Sequence, residues 1–237
     1  MSDYYIASCI FTERHPELSL KVQQYIKEHF DMPVVRCCTP SYKIEEFEGR
    51  MSACAVDSWK ALPLNAELKA GDAVYSVCHN CSNIIEALYP DVKVMSLWEL
   101  ILQDESFVYP DLGGISVTLQ DCWRSHWRTE EQNAVREILR RMNCHVVEMP
   151  ENRENTQFCG TSLHRKQPER NPKLAPKVYV DKATGKFIPV SEEKQKEIMK
   201  EYCSQIVTEE VICYCHYCLE GLLAGGADAK HLAQLLF

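Results

Sequence analysis

The 237-residue chain lacks several features that would assign it to a common class of protein. No apolar run approaches the roughly 18 residues of a membrane-spanning helix, and the first five residues lack the basic start and apolar run of a signal peptide. The 26 basic residues do not outnumber the 34 acidic ones, so the basic surface typical of nucleic-acid binding is not expected. We therefore expect a cytoplasmic globular protein with no integral membrane segment and no nucleic-acid partner.

Two cofactor motifs are also missing. The sequence has no C-x-x-C-x-x-C-x-x-x-C run of the bacterial ferredoxin type, and no G-x-G-x-x-G follows a predicted strand. The chain thus has no evident flavin or nicotinamide site of its own. Electrons for any redox chemistry would have to come from a partner, which we expect to be an iron–sulfur or flavoprotein subunit.

Cysteine, in contrast, is abundant, with 13 residues in the chain. Cytosolic thiols stay reduced, and an odd number does not suit a closed disulfide framework. Nine of them form two series, each ending in a C-H-x-C motif: Cys9, Cys37, Cys38, Cys78 and Cys81, then Cys122, Cys159, Cys215 and Cys218. Thiolates gathered from distant loops are what zinc and iron–sulfur clusters require, so the pattern predicts metal binding.

The two cysteine series belong to two copies of one structural pattern. In each half an apolar strand (residues 4–8 or 114–119) precedes the first cysteine, and a helix (18–30 or 130–142) follows. A second strand precedes the next cysteines of the series, Cys37-Cys38 or Cys159, and a third strand leads into the C-H-x-C motif and another helix. Strands that alternate with helices favour parallel sheets, whose sites form at the strand carboxyl ends. The sequence therefore predicts an α/β fold of two pseudo-repeated βαβ-type units, with small parallel sheets and the cysteines on loops at the strand carboxyl ends.

We place the first repeat at residues 1–110 and the second at 111–237. Cys38 and Cys78 enclose 39 residues, whereas Cys159 and Cys215 enclose 55, a difference of 16. The extra residues lie near 164–190, a stretch rich in Lys, Arg and Pro. Residues 177–180, 181–185 and 186–188 within it predict a β-hairpin. This insertion is either a solvated surface arm or a docking surface for an acidic partner.

The series Cys9, Cys37-Cys38, Cys78-x-x-Cys81 and its duplication resemble the cysteine-rich CCG domain, which is best known from heterodisulfide reductase and from related iron–sulfur subunits of respiratory and lactate-utilisation oxidoreductases. Residues 118–122 and 231–236 also resemble this family, and the resemblance covers nearly the whole chain. In the CCG-domain subunit of heterodisulfide reductase the series holds a non-cubane 4Fe-4S cluster, and such clusters cleave a disulfide held between them. The resemblance implies that Cys9, Cys37, Cys38, Cys78 and Cys81 hold one such cluster. It also implies that Cys37 and Cys38 take part in catalysis and that the substrate is a small disulfide or thiol.

The second copy departs from this pattern at one position. Phe158 stands where the first cysteine of the adjacent pair belongs, although Gly160 is kept after Cys159. Four cysteines of the second series remain as candidate metal ligands: Cys122, Cys159, Cys215 and Cys218. Four thiolates suit a cubane 4Fe-4S cluster and a tetrahedral zinc ion equally well. Strand alternation turns Cys213 to the same side as Cys215, which makes it a candidate fifth thiolate or a neighbour of the site.

Three histidines accompany the cysteines. The ordinary pKa of a histidine side chain lies near neutral pH, so His126 could deliver a proton to a departing thiolate. His126 is therefore a candidate catalytic residue. His79 and His216 occupy equal places in the two C-H-x-C motifs. They could ligate the metal, donate a hydrogen bond to a ligand sulfur, or simply pack. Cys54, Cys144 and Cys203 lie outside both series and are predicted to be ordinary buried side chains.

Three functions remain open. The first is an iron–sulfur redox subunit like the CCG-domain subunit of heterodisulfide reductase, an oxidoreductase that transfers electrons to a disulfide or related acceptor. The second is a zinc-stabilised cysteine-rich interaction module, and the third is a cluster-bearing sensor or scaffold without turnover. A thioredoxin-like dithiol explains one C-x-x-C but leaves Cys9, Cys122 and Cys159 without a role.

Overall fold

The computed structural model describes residues 1–37, 39 and 44–237, apart from the side chain of Cys54. Its contacts divide the chain into two units, Met1–Asp104 with Phe237, and Glu105–Leu236. Each unit is an α/β domain with a four-stranded, entirely parallel sheet, which confirms the predicted fold class. The predicted repeat boundary between residues 110 and 111 stays a prediction. Among the helices described, none is both long enough and apolar enough to cross a bilayer.

The first unit alternates strands and helices along the chain. Its elements are β1 (Asp3–Ile6), α1 (Cys9–Arg14), α2 (Pro16–Phe30), β2 (Val34–Val35), α3 (Ile44–Glu48), α4 (Ala53–Lys60), β3 (Ala73–Ser76), α5 (His79–Leu88), β4 (Lys93–Ser96) and α6 (Leu97–Gln103). The sheet order is β2-β1-β3-β4, and Tyr5 of β1 pairs with Val34 and with Tyr75. Strand residues such as Ile6 and Val74 are at most 1% exposed, as expected for a parallel sheet covered by helices.

The second unit repeats this plan. Its elements are β5 (Ser116–Gln120), α7 (Thr129–Arg141), β6 (His145–Glu148), α8 (Arg170–Leu174), α9 (Glu192–Cys203), β7 (Glu210–Cys213), α10 (His216–Ala224), β8 (Asp228–His231) and α11 (Leu232–Leu236), with short 3-10 turns at Trp123–Ser125, Arg153–Asn155 and Gly160–His164. The sheet order β6-β5-β7-β8 is the same as in the first unit. The predicted helices at 18–30 and 130–142 agree with α2 and α7 to within two residues.

The last strand–helix junction of each unit carries the same kind of helix cap. The Ser96 backbone N–H donates a hydrogen bond of 2.7 Å to the Glu99 carboxylate, and the Glu99 N–H donates one of 3.2 Å to the Ser96 hydroxyl. At the matching place His231 N–H donates to the Gln234 side chain at 2.7 Å. Such bonds satisfy N–H groups left open in the first helical turn. The duplication therefore extends to individual hydrogen bonds.

The predicted hairpin in the insertion is wrong. Residues Lys177–Asp181 form a short π-helical turn, and the structure assigns no strand between residues 164 and 190, all of which it describes. Val178 and Tyr179 are both buried, although neighbouring residues of a strand point to opposite faces. The Tyr179 N–H donates to the Ala175 carbonyl at 3.0 Å, which extends the helical path from α8. Burial of adjacent side chains thus overrides the β-propensity of this segment.

Candidate metal centre

Four cysteines of the second unit meet at the carboxyl end of its sheet. Cys122 follows β5, and Cys159 lies on the loop after β6. Cys215 is the N-cap of α10, and Cys218 lies in the first turn of that helix. All four are at most 4% exposed, and their sulfur atoms lie within 4.8 Å of one another. The structure thus brings the four predicted ligands into one buried group that could hold a metal ion.

The surroundings of Cys159 favour its deprotonated form. The Arg124 backbone N–H donates a hydrogen bond of 3.4 Å to Cys122 Sγ, and the Cys122 thiol donates one of 3.3 Å to Cys159 Sγ. Burial alone would raise the pKa of Cys159, but the hydrogen bond from Cys122 and the charge of Arg124 lower it below its ordinary value. Burial raises the pKa of Cys122 and of Cys218. Of these three thiols, Cys159 is therefore the one whose surroundings favour the thiolate.

The positive charge beside Cys159 is itself buried. Arg124 is 2% exposed; its guanidinium contacts Cys159 Sγ and donates a hydrogen bond of 2.9 Å to the Ser162 hydroxyl. The Phe187 and Tyr217 rings flank the guanidinium, with centroids 5.7 and 5.0 Å from its central carbon. Burial alone would lower the pKa of Arg124, but Cys159 and other acidic groups raise it well above its ordinary value. Arg124 therefore stays charged and compensates thiolate charge.

Two glycines let the Cys159 loop lie directly on α10. Gly160 has a φ of +58°, and a Cβ atom there would overlap the Tyr217 carbonyl group. A Cβ atom on Gly221, one turn further along the helix, would overlap the Gly160 backbone. The two backbones meet because neither residue carries a side chain. This close approach sets Cys159 beside Cys218.

A buried ionic network anchors the end of β5, next to Cys122. The Asp121 carboxylate accepts hydrogen bonds from the Tyr214 hydroxyl at 2.5 Å, from Arg136 Nη2 at 2.7 Å and from the Arg153 N–H at 2.7 Å. Its side chain is fully buried, so these bonds provide the charge compensation that burial demands. Because the network joins β5, α7 and the end of β7, it holds the strand ends that carry the cysteines in register.

Phe158 fills the place that a cysteine occupies in the first series. Its ring stacks on Tyr202 of α9, with centroids 4.0 Å apart and planes at 15°. The Phe158 carbonyl accepts a hydrogen bond of 2.8 Å from the Trp123 N–H, which ties the two cysteine loops together. The second unit therefore has an aromatic pair beside its metal centre at the position of a further thiol.

The first unit places its described cysteines at the matching strand ends. Each is at most 4% exposed; they are Cys9 at the start of α1, Cys37 after β2, and Cys78 and Cys81 at the start of α5. Burial raises the pKa of Tyr5 on β1, and the nearby Cys81 and Cys78 thiols raise it further. Cys38 lies outside the described residues, so its predicted role as ligand and catalytic residue stays a prediction, as does that of Cys37.

His126 lies in the second unit, four residues after Cys122. Its ring stacks on Trp123, with centroids 6.2 Å apart, and its Nδ1 is hydrogen-bonded to the Trp123 carbonyl. Burial lowers its pKa, and the charges of Lys182 and Lys186 add to this effect although the carbonyl opposes it. The ring is therefore mostly neutral at neutral pH. Its role as a proton donor stays a prediction.

The histidines of the C-H-x-C motifs are both buried at the start of a helix. His216 packs against Tyr217, with centroids 4.0 Å apart, and its Nε2 has no hydrogen-bond partner among the residues described. Neither His79 nor His216 belongs to the four-sulfur group. The Cys213 thiol also lies outside that group and donates weak hydrogen bonds to the carbonyls of Cys215 and Lys230 at 3.8 and 3.7 Å. Cys213 is therefore a buried neighbour of the site.

The cysteines outside both series differ in exposure. Cys144 is buried, as predicted, whereas Cys203 at the end of α9 is only half-buried. Burial is the main cause that raises the pKa of each of these two thiols. The side chain of Cys54 lies outside the described part of the chain.

Three features of the site were not predicted from sequence: the buried Arg124, the Asp121 network and the Phe158–Tyr202 stack. Arg124 and Asp121 are charged residues flanking a cysteine, and charged residues are exposed far more often than buried. A weak signal was present, because Asp121 and Arg124 lie within two residues of Cys122 in a segment that follows a buried strand. No sequence pattern distinguishes such a pair from a solvated one.

The donor set and the spacing fit a single ion with four thiolate ligands. Zinc–sulfur bonds of about 2.3 Å place the sulfurs of a regular tetrahedron about 3.8 Å apart. The 4.8 Å limit on all sulfur–sulfur separations in the group is close to this value. A cubane cluster holds four irons and four sulfides between its cysteines, so it requires a wider spread of the same four sulfurs.

Comparison with known proteins assigns no family. No protein-family model matches the chain, and no curated protein matches it. Among solved structures, it is similar to the glutamate racemase isoform RacE1 from Bacillus anthracis with 12% identity and a TM-score of 0.31, over 100% of this chain and 78% of that chain. So low a TM-score supports no argument on fold or function.

Proposed function

We propose that this protein is a cysteine-ligated redox subunit, similar to the CCG-domain subunit of heterodisulfide reductase, that passes electrons to a small disulfide or a related acceptor. In this proposal the first unit holds an iron–sulfur cluster, and the second holds a four-thiolate metal ion. The single observation that carries it is the buried group of Cys122, Cys159, Cys215 and Cys218, whose sulfurs lie within 4.8 Å of one another. It supports metal binding by the four cysteines of the second unit, and the proposal extends this to the first unit through the duplicated pattern.

The second centre is proposed to be structural zinc. The four sulfurs are spaced for one tetrahedral ion, and no open coordination position is left once all four bind, as is typical of structural zinc sites. Arg124 compensates part of the charge that four thiolates place on one divalent ion. The ion would thus link the loops after β5, β6 and β7 and stabilise the fold of the second unit, as a small hydrophobic core does.

The first centre is proposed to be the redox site. Cys9, Cys37, Cys78 and Cys81 occupy the strand ends that carry the four ligands in the second unit, and all are buried. The adjacent Cys38 adds a fifth thiol to the series, one more than a tetrahedral zinc ion uses. A bound iron–sulfur cluster would supply electron storage and an affinity for sulfur, and the protein would supply the thiolates and a water-poor surrounding.

The metal content tests this division. We expect anaerobically purified protein to be brown and to contain roughly four irons and four acid-labile sulfides per chain together with one zinc. Cys37→Ser should remove iron and sulfide but keep zinc, and Cys159→Ser should do the reverse. Cys144→Ser, in a buried cysteine outside both series, is the matched control and should keep both. Stoichiometric zinc in both units with no labile sulfide would overturn the redox proposal.

Turnover is tested separately. The reduced protein should be reoxidised by a low-molecular-weight disulfide, followed as a change in visible absorbance, and Cys37→Ser should abolish this reaction. The zinc-stabilised interaction module is the second candidate, because the spacing of the four-sulfur group suits zinc. If the protein is such a module, no disulfide should reoxidise the reduced protein, and neither centre should contain iron.

A further inference from the structure

A cavity of about 300 Å³ lies against the metal centre of the second unit, on the side of Cys159. Its apolar lining comes from Phe158, Leu163, Ile198, Met199 and Tyr202. This volume falls at the lower end of the about 300–1,000 Å³ found for small-molecule sites. The cavity is therefore large enough for a small organic molecule and is not a packing defect of one or two methyl groups.

Two parts of the cavity wall come from residues that distinguish the second copy from the first. Phe158 replaces a cysteine of the series, and Gly185 and Lys186 belong to the insertion near 164–190. The end of the insertion is held down by two backbone bonds, from the Ile188 N–H to the Leu163 carbonyl at 2.8 Å and from the Val190 N–H to the His164 carbonyl at 3.1 Å. Both changes to the repeat thus meet at one cavity, although they are about 27 residues apart in the chain.

The walls specify the chemistry of an occupant. Phe158 and Tyr202 both line the cavity and stack on each other, so this part of the wall is aromatic and favours an apolar body that contains an aromatic ring. The polar part of the lining includes His164 and Lys186, whose ammonium group contacts the Gln157 side-chain oxygen. Glu151 also lines the cavity, but it is exposed, so water screens its charge. Lys186 is the less exposed of these two charged residues, so we take its ammonium group as the charge that a bound molecule would meet.

We propose that this cavity binds a small planar aromatic molecule that carries one anionic group, with the ring against Phe158 and Tyr202 and the anion at Lys186. The binding site is independent of the redox chemistry assigned to the first unit. It requires only the folded second unit, and a ligand in it would lie next to Cys159 of the metal centre.

The test uses three probes with the full-length purified protein: naphthoate, its uncharged analogue naphthol, and the non-planar anion adamantanecarboxylate. Binding is measured by calorimetry and by NMR of methyl-labelled methionine. We expect naphthoate to bind saturably with one site and to shift the Met199 signal. The Met142 and Met149 signals should not shift, because these buried residues do not line the cavity. Naphthol and adamantanecarboxylate should each bind at least about tenfold more weakly.

Variants then locate the site. Lys186→Gln should weaken naphthoate binding about tenfold or more and leave naphthol unchanged, whereas Lys177→Gln, in an exposed lysine of the same insertion, should change neither. Ile198→Trp should fill the cavity and abolish binding of both probes. A wild-type protein with no saturable binding or no Met199 shift would overturn the site. Equal affinity for naphthoate and naphthol would overturn the proposed anionic class.

Discussion

At the scale of single residues, Arg124 shows best how the second centre controls charge. A guanidinium that is 2% exposed must lie near negative charge, because burying an unpaired ion costs several kcal/mol. Its contact with Cys159 Sγ supplies that charge when the thiol is ionised. The same contact lowers the pKa of Cys159, so the arginine and the thiolate stabilise each other. Arg124 is thus a positioning residue for the candidate metal site rather than a ligand.

Replacing Arg124 should weaken metal binding. We expect Arg124→Leu to lower zinc affinity about tenfold or more, since charge-assisted hydrogen bonds contribute about 1.5–3 kcal/mol. Loss of the charge raises the pKa of Cys159, so protons compete with metal at higher pH, and the midpoint of acid-induced zinc release should move upward. Competition with a chelator across a pH series measures both effects. Arg124→Lys should recover part of the affinity, and equal affinities in all three proteins would contradict this role.

At the scale of elements, the packing of the Cys159 loop on α10 depends on Gly160. The positive φ of this residue disfavours any side chain, and its position against the Tyr217 carbonyl leaves no space for one. The first unit has Thr39 at the matching position, after the pair Cys37-Cys38, so the glycine is a feature of the second unit. The close packing of this loop on α10 is therefore specific to the second unit's sequence.

Gly160→Ala should separate steric overlap from backbone strain. Strain alone costs about 1–2 kcal/mol for a left-handed residue, and Gly226 provides the control because it has a φ of +85° with open space around its Cα. We expect Gly226→Ala to lower the free energy of unfolding by about that amount. Gly160→Ala should lower it by more than about 3 kcal/mol and also weaken zinc binding. Urea denaturation with metal analysis measures both changes, and similar losses in the two variants would contradict the close packing.

At the scale of the whole molecule, one α/β plan is used twice with different side chains at its strand ends. Both units order their strands identically and set cysteines at the carboxyl ends of the same three strands. They differ in the adjacent cysteine pair of the first series, which becomes Phe158-Cys159 in the second, and in the insertion. A shared backbone with divergent loops is how α/β folds acquire distinct sites.

Removal of the metal should affect the units unequally. Structural zinc contributes about 10–16 kcal/mol in small zinc peptides, which equals or exceeds the about 5–15 kcal/mol stability of an ordinary domain. A zinc chelator should therefore abolish amide-exchange protection in β5, β6 and β7 while β1, β3 and β4 keep theirs. Hydrogen exchange followed by mass spectrometry of peptides measures this, and readdition of zinc is the control. Unchanged protection in the second unit would contradict the proposed structural zinc ion.

Sequence patterns alone predict the fold class, the duplication and the position of the cysteines at strand ends. These properties follow from local periodicity and from the rule that parallel strands end at one edge of a sheet, so short segments suffice to predict them. The helices α2 and α7 and the four-cysteine group of the second unit were predicted in this way. The membership of Cys38 in a site rests on the repeat pattern alone.

Three features depend on the tertiary structure and are not predicted from sequence: the spacing of the four sulfurs, the burial of Arg124 and the stack of Phe158 on Tyr202 beside Cys159. Each depends on residues far apart in the chain: Cys122 contacts Cys159 across 37 residues, and Tyr214 reaches Asp121 across 93. The same is true of the insertion, where burial of Val178 beside Tyr179 produces a helical turn from a sequence with strand propensity. Such contacts follow from the packing of whole elements, which local sequence periodicity does not encode.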